Sequence, residues 1–185
     1  MEILTKNDMV RLFQLLNEEL KKESLEGEIY LVGGAVMCLV FQARPSTKDV
    51  DAFFKPAQKM REAAAKVAVK IGLKKDWLND AVKGYLSQKI SFDSFLELSH
   101  LKIFTARADY LLAMKCLAMR IGEEFHDLSD IHFLLRYLNV DSCQEAVGII
   151  TKYYPMERFP QKTLYALEEI FDQPRKKMRA KATVL

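Results

Sequence analysis

Cysteine, histidine and tryptophan are scarce: the 185 residues hold three Cys, three His and one Trp. Cys38, Cys116 and Cys143 are odd in number, far apart, and each lies in a segment that reads as helix. That pattern argues against a disulfide framework and for reduced thiols packed as small hydrophobes in a cytoplasmic protein. His100, His126 and His132 do not combine with them into a zinc spacing, so no structural metal is expected. Long apolar runs are missing as well, and nothing approaches the roughly 20 residues of a membrane span. The opening "MEILTKNDMV" lacks the basic-then-apolar order of a secretory leader. A protein that does not meet a membrane is therefore expected. Repeats and low-complexity linkers are absent too. Acid is absent from residues 173–185, where Arg175, Lys176, Lys177, Arg179 and Lys181 give +5 of the chain's net +3 and leave residues 1–172 at −2. A broadly basic body is thus excluded. Attraction to nucleic acid would have to come from this tail or from a local patch, and the tail reads as readily as a solvated, disordered terminus.

What is present is enough apolar material for a core, 50% of the residues, in a chain the length of one domain or of one domain with a helical extension. Met9, Leu12, Phe13, Leu16 and Leu20 recur at three- and four-residue steps and predict a first helix ending near Gly27. "EIYLV" predicts a buried strand, "AVMCLVFQA" a helix stopped at Arg44-Pro45, and "DVDAFF" a second strand. A helix follows over Ala57–Ile71 with Gly72 as its C-cap, and "KKDWLNDAVKGYL" is irregular, with Trp77 as a packing residue. "SFLEL" and "LKIFTA" are further strands. Helices are then predicted at about Ala108–Ile121, Leu128–Asn139, Ser142–Tyr153 and Pro160–Phe171. The order predicts an α+β fold: a small mixed sheet backed by helices over residues 1–106, a helical part over 107–172, and the basic tail 173–185.

Two local oddities fall within Leu31–Phe54. Gly33-Gly34 stands between a predicted strand and a predicted helix, where missing side chains let a phosphate approach backbone N–H groups. A plain tight turn would use the same residues. Asp49 and Asp51, two residues apart in a predicted strand, project to one face, where like charges repel unless a counter-charge joins them. Mg²⁺ is such a counter-charge, and so are Arg44 and Lys48. Further along, Lys115 and Arg120 precede Asp127 and Asp130, which share one face of the next helix near its N-terminus; surface ion pairs and capping would explain them equally.

Taken together, "VGGAVMCLVFQARPSTKDVDAFF" resembles the nucleotidyltransferase fold of the DNA polymerase beta superfamily. Within it the stretch is similar to the minimal bacterial nucleotidyltransferases, including the AbiEii-type toxin branch, where a Gly-Gly or Gly-Ser turn precedes an Arg-x-Ser/Thr-x-Asp-x-Asp segment. Arg44, Ser46 or Thr47, Asp49 and Asp51 match that segment, and "LLAMKCLAMR" with "HDLSDIHFLL" matches the later Lys, Arg and Asp-x-x-Asp of similar proteins. The resemblance covers about residues 29–138, and "DWLND" adds a further similarity to an uncharacterised branch.

The resemblance implies a nucleoside triphosphate as ligand, bound by Gly33, Gly34, Arg44, Ser46 or Thr47, and Lys115, with Asp127 or Asp130 orienting that lysine. It implies two Mg²⁺ ions on Asp49 and Asp51, with a third carboxylate on a neighbouring strand flanked by apolar residues. Glu97, between Leu96 and Leu98, fits that place, and Asp93 is the other choice. With three carboxylates converging, the expected activity is transfer of a nucleotidyl group to a hydroxyl of RNA or protein, as in a toxin with a partner antitoxin. With the third diverging, the expectation becomes a module that binds nucleotide or a protein partner without transfer.

Overall fold

The computed structural model describes residues 3–120 and 126–182, with side chains as far as Asp172. The chain divides into two compact units, one built from Met1–Leu86 and Ser91–Arg107, the other from Ser87–Ile90 and Ala108–Leu185.

The first unit begins with β1 (Leu4–Thr5) and α1 (Lys6–Lys22). Thr5 caps α1: its hydroxyl accepts from the Asp8 N–H, and the Asp8 carboxylate accepts from the Thr5 N–H at 2.9 Å. Met9, Leu12, Phe13, Leu16 and Leu20 form the buried stripe of α1, as their spacing predicts. Then come β2 (Gly27–Leu31), α2 (Gly33–Leu39), β3 (Ser46–Thr47), β4 (Val50–Lys55), α3 (Ala57–Ile71) and β5 (Leu78–Asn79). Gly72 ends α3 in the left-handed conformation, φ +72°, open to glycine without strain. A 3₁₀ helix over Ala81–Tyr85 precedes β6 (Phe92–Glu97) and β7 (Leu101–Ala106).

Five strands form a mixed sheet in the order β5-β4-β2-β7-β6. β2 runs antiparallel to β4 and parallel to β7, β4 runs parallel to β5, and β6 runs antiparallel to β7. β1 and β3 make a separate two-stranded ribbon. The fold is α+β, as the order of elements predicts. Alternation sorts the sheet residues into two faces. Ile29, Leu31, Ala52, Phe54, Leu101 and Ile103 are buried on one, and a side chain on Gly27 there would strike Met60 of α3 and Leu20 of α1, so those helices pack on that face. The other face carries Tyr30 stacked between Phe53 at 4.3 Å and Phe104 at 4.8 Å, with Phe92 edge-on to Tyr30 at 5.3 Å. Trp77 is buried and its Nε1 donates to the Ala64 carbonyl at 3.1 Å, a packing residue as expected.

The second unit comprises α4 (Ala108–Leu117), α5 (Asp127–Tyr137), α6 (Cys143–Ile150), a 3₁₀ helix over Met156–Arg158, and α7 (Gln161–Ala182). Leu111, Leu112, Ile131, Leu134, Ile150 and Leu167 contribute to its core. The Thr163 hydroxyl donates to the Cys116 carbonyl at 2.9 Å, tying α7 to the end of α4. The short insert Ser87–Ile90 belongs to this unit: the Ser87 N–H donates to the Tyr110 hydroxyl at 3.1 Å, and its Oγ to the Tyr153 carbonyl at 2.5 Å.

Several helix ends differ from expectation: α2 spans Gly33–Leu39 rather than Ala35–Ala43, and α6 ends at Ile150 rather than Tyr153. The helix predicted over Ala108–Ile121 ends at Leu117. Its predicted last residue, Ile121, lies outside the described residues. The last helix does not stop at Phe171; its backbone continues to Ala182, through ten of the residues expected to form a disordered tail, while residues 183–185 lie outside the described residues. Cys38 and Cys116 are buried and Cys143 is half-buried, all three unbridged. Burial pushes the Cys116 thiol up to about 12, which suits a packing role. No described helix is long and apolar enough to cross a membrane.

Candidate functional site

In the first unit the sequence oddities converge on one turn. β2 ends at Leu31 and α2 begins at Gly33, with Val32 between them donating its N–H to the Asp51 carbonyl at 3.0 Å. Gly33 adopts φ +60°, a conformation that side chains disfavour, and an added Cβ would lie 2.8 Å from Asp51 Oδ2. At Gly34 an added Cβ would lie 2.5 Å from both Arg44 Nη2 and Thr47 Oγ1. Each glycine is therefore required by side chains lying against it. The turn expected to admit a phosphate first admits the protein's own Asp51, Arg44 and Thr47.

The two-residue strand β3 places Ser46 and Thr47 differently. Neighbouring residues of a strand face opposite ways. Thr47 is buried with its hydroxyl at Gly34, whereas Ser46 is half-buried and pairs with Thr5 across the ribbon.

Asp51 lies near the start of β4, and Asp49 immediately precedes that strand; both are half-buried. On the far side of β4 lies β5, where Asn79 is registered with Asp51 and donates Nδ2–H to Asp49 Oδ2 at 3.3 Å. Asn79 carries no charge and stands out in no periodic pattern, so no role is legible for it in the chain; only "DWLND" as a resemblance marks its neighbourhood. Asp49 also lines a cleft of about 130 Å³ with Lys48, Lys74 and Asp76.

Neither proposed third carboxylate joins this pair. Glu97 is registered with Lys102, Lys102 with Glu28, and Glu28 with Lys55. Glu97 thus lies at the Lys55 end of the sheet, three strands across and four residues along from Asp51, roughly 14 Å and 13 Å respectively. It shares a face with Asp51 but not an end. There it is 69% exposed, 3.5 Å from Lys102 Nζ, and lines a cleft of about 420 Å³ with Glu28, Lys55 and His100. Asp93 is registered with Thr105 at the Asp51 end, but three strands away on the opposite sheet face, and is 3.5 Å from Arg107 Nη1. The expectation for Glu97 fails because Leu-Glu-Leu alternation reports a strand's facing but not its place in the sheet. Among the described residues no group of three or more His, Cys, Asp or Glu side chains is placed to hold a metal ion.

Two protein carboxylates can nonetheless suffice for Mg²⁺. That ion commonly takes one or two protein carboxylates and completes its shell with water and substrate phosphate. Asp49 and Asp51 would hold it, and it would supply charge neutralisation at a triphosphate.

The second unit brings its cluster together tightly. Lys115 Nζ lies 2.9 Å from Asp127 Oδ1 and 2.8 Å from Asp130 Oδ2. Arg120 reaches Asp127 Oδ2 with Nε at 3.1 Å and its backbone N–H at 3.2 Å. Both aspartates are buried and the Lys115 side chain is mostly so, while the Arg120 side chain is mostly exposed. Burial pushes the Asp127 carboxyl up, but the Lys115 and Arg120 charges and hydrogen bonds outweigh it and hold the group below the usual carboxylate range. In these contacts two cations face two anions. Asp127 and Asp130 sit in the first turn of α5, where carboxylates are favoured. Lys115, Arg120, Asp127 and Asp130 thus come together, in an arrangement that gives the lysine its counter-charges from within the protein.

Comparison with protein-family models, with curated proteins and with solved structures gave no significant match.

Proposed function

We propose that this chain binds a nucleoside triphosphate together with a divalent cation at the turn formed by Gly33 and Gly34. The observation that carries the reading is the meeting of Arg44, Thr47 and Asp51 on the two glycines, with Asp49 adjacent. Arg44 and Thr47 offer donors to phosphate oxygens, and the two aspartates offer hard oxygens to Mg²⁺. The position of Glu97 away from the pair supports binding over transfer, because the acceptor hydroxyl lacks a carboxylate to take its proton. Lys115 is not needed in this reading, since Asp127 and Asp130 hold its ammonium. The test is calorimetric titration with each Mg-NTP. Micromolar to millimolar binding is expected, abolished by EDTA and by Asp51→Asn; equal binding by wild type and Asp51→Asn would overturn the reading.

Transfer of a nucleotidyl group to RNA or protein, as in the toxin of a toxin–antitoxin pair, is the second reading. What favours it is that the glycines, arginine, threonine and both aspartates meet at one turn. In it pyrophosphate leaves as the acceptor oxygen attacks the α-phosphorus, and positioning with charge neutralisation supplies the catalysis. Label appearing on RNA or protein from α-labelled NTP, and lost in Asp49→Asn, would establish it over binding alone.

A further inference from the structure

We infer that residues 173–182 of α7 are an arm that lies in the major groove of duplex DNA and holds the phosphates on both sides of that groove. The inference stands apart from the nucleotide-binding reading above and uses none of its residues. Composition alone leaves these residues as a basic tail, whereas their backbone is helix, continuous with the turns of α7 before them. That continuity decides what their charge can do. A flexible tail would fold back onto Glu168, Glu169 and Asp172, but a helix cannot fold back on its own earlier turns. Arg175, Lys176, Lys177, Arg179 and Lys181 follow in close succession, and Asp172 is the only acid within four residues of any of them. At about 3.6 residues per turn, Arg175 and Arg179 fall on one side of the helix with Lys176 beside them. Lys177 and Lys181 fall on the opposite side. Between the two sides run a seam of Gln173 and Ala180 and a seam of Met178 and Ala182.

Polyphosphate is the chemistry that complements such a surplus of cations. Two cationic sides also select its shape. Ten helical residues span about 15 Å, and the major groove of B-form DNA, about 12 Å wide, admits a helix between two rows of phosphates. A single strand offers one row, and the major groove of A-form RNA is too deep and narrow for side chains to use. An anionic membrane would call for an apolar face opposite the cations, and Met178 is the one large apolar residue of the ten. The same shortage excludes an apolar groove on a partner protein, which takes helices through apolar anchors at helical spacing.

The test is fluorescence anisotropy of a labelled DNA duplex of mixed sequence, titrated with the full chain at a series of KCl concentrations, with folding followed by thermal melting. Binding near micromolar is expected at about 50 mM salt, weakening roughly 40- to 500-fold at about 200 mM for about three to five phosphate contacts. Arg175→Gln with Arg179→Gln, and separately Lys177→Gln with Lys181→Gln, should each lower the log–log salt slope by about 1.8. Met178→Pro keeps all five charges but interrupts the helix, and should bind at least about tenfold more weakly. Any of four results would overturn the inference: no DNA binding at low salt, a salt slope unchanged in both glutamine pairs, unchanged affinity in Met178→Pro, or an RNA duplex or phosphatidylserine vesicles bound as tightly as the DNA. Calorimetry with Mg-NTP reads the nucleotide site separately, so each reading can fail while the other stands.

Discussion

The charged groups of the two units differ in what completes them. Asp127 and Asp130 are buried, both lie within hydrogen-bonding distance of Lys115, and Arg120 also reaches Asp127, so these carboxylates have cations against them. Asp49 and Asp51 are half-buried, with Asn79 donating to Asp49 and Asp51 lying against Gly33. Equal spacing in sequence therefore does not mean equal chemistry. Asp-x-x-Asp on a helix finished its own ion pairs, while Asp-x-Asp at a strand start gathered an arginine, a threonine and an asparagine near the same turn. A buried pair costs most when one partner is removed, whereas a ligand site often gains stability when a repelling charge is lost.

That contrast can be broken most forcefully at Lys115. Lys115→Met takes the shared cation away from two buried carboxylates and should destabilise the protein by about 3–5 kcal/mol in urea denaturation. Asp51→Asn should not lower stability at all. If both variants lose stability alike, the distinction between an ion-paired cluster and a ligand site fails. Next in size is Gly33→Ala, which meets both the positive φ and the Asp51 carboxylate and should cost about 1–3 kcal/mol. Gly33→Ala combined with Asp51→Ala should regain part of that loss, because only the backbone strain remains.

Acid sharpens the same contrast more gently. The Asp127 carboxyl lies below its ordinary value in the folded protein, so its stabilisation is complete above the unfolded value of about 3.9 and is lost as pH falls through the folded one. The stability gap between wild type and Asp127→Asn should accordingly close below about pH 4, as read from unfolding free energies at a series of pH values. The smallest effect belongs to Glu97→Gln. Its ion pair with Lys102 is screened by water, and melting temperature and nucleotide affinity should both match wild type.

Much of the frame was legible in the chain. α1 and α3 follow their apolar stripes, and the left-handed Gly72 stands where a helix stop was expected. β2, β4, β6 and β7 follow from short apolar or alternating runs bounded by turns. The elements missed are the two-residue strands β1, β3 and β5, too short to show a period and made by their partners rather than by propensity. Those short strands matter most at the candidate site. β3 turns Thr47 toward Gly34, and β5 brings Asn79 to Asp49. Gly33, Gly34, Arg44, Asp49 and Asp51 could be picked out because their types are odd for their positions. Glu97 could not be judged, because sheet order depends on long-range pairing that local alternation does not record.

The insert Ser87–Ile90 bears on how the polypeptide can be divided. The chain leaves the sheet unit after Leu86, returns at Ser91 and leaves again after Arg107, so neither unit is a continuous stretch. A single cut at residue 107 would give a front piece carrying four residues that belong elsewhere. It would also give a rear piece whose Tyr110 hydroxyl and Tyr153 carbonyl have lost Ser87. Moving one unit onto another scaffold therefore takes two junctions and a bridging linker, and a library of simple truncations would under-report how autonomous each half is.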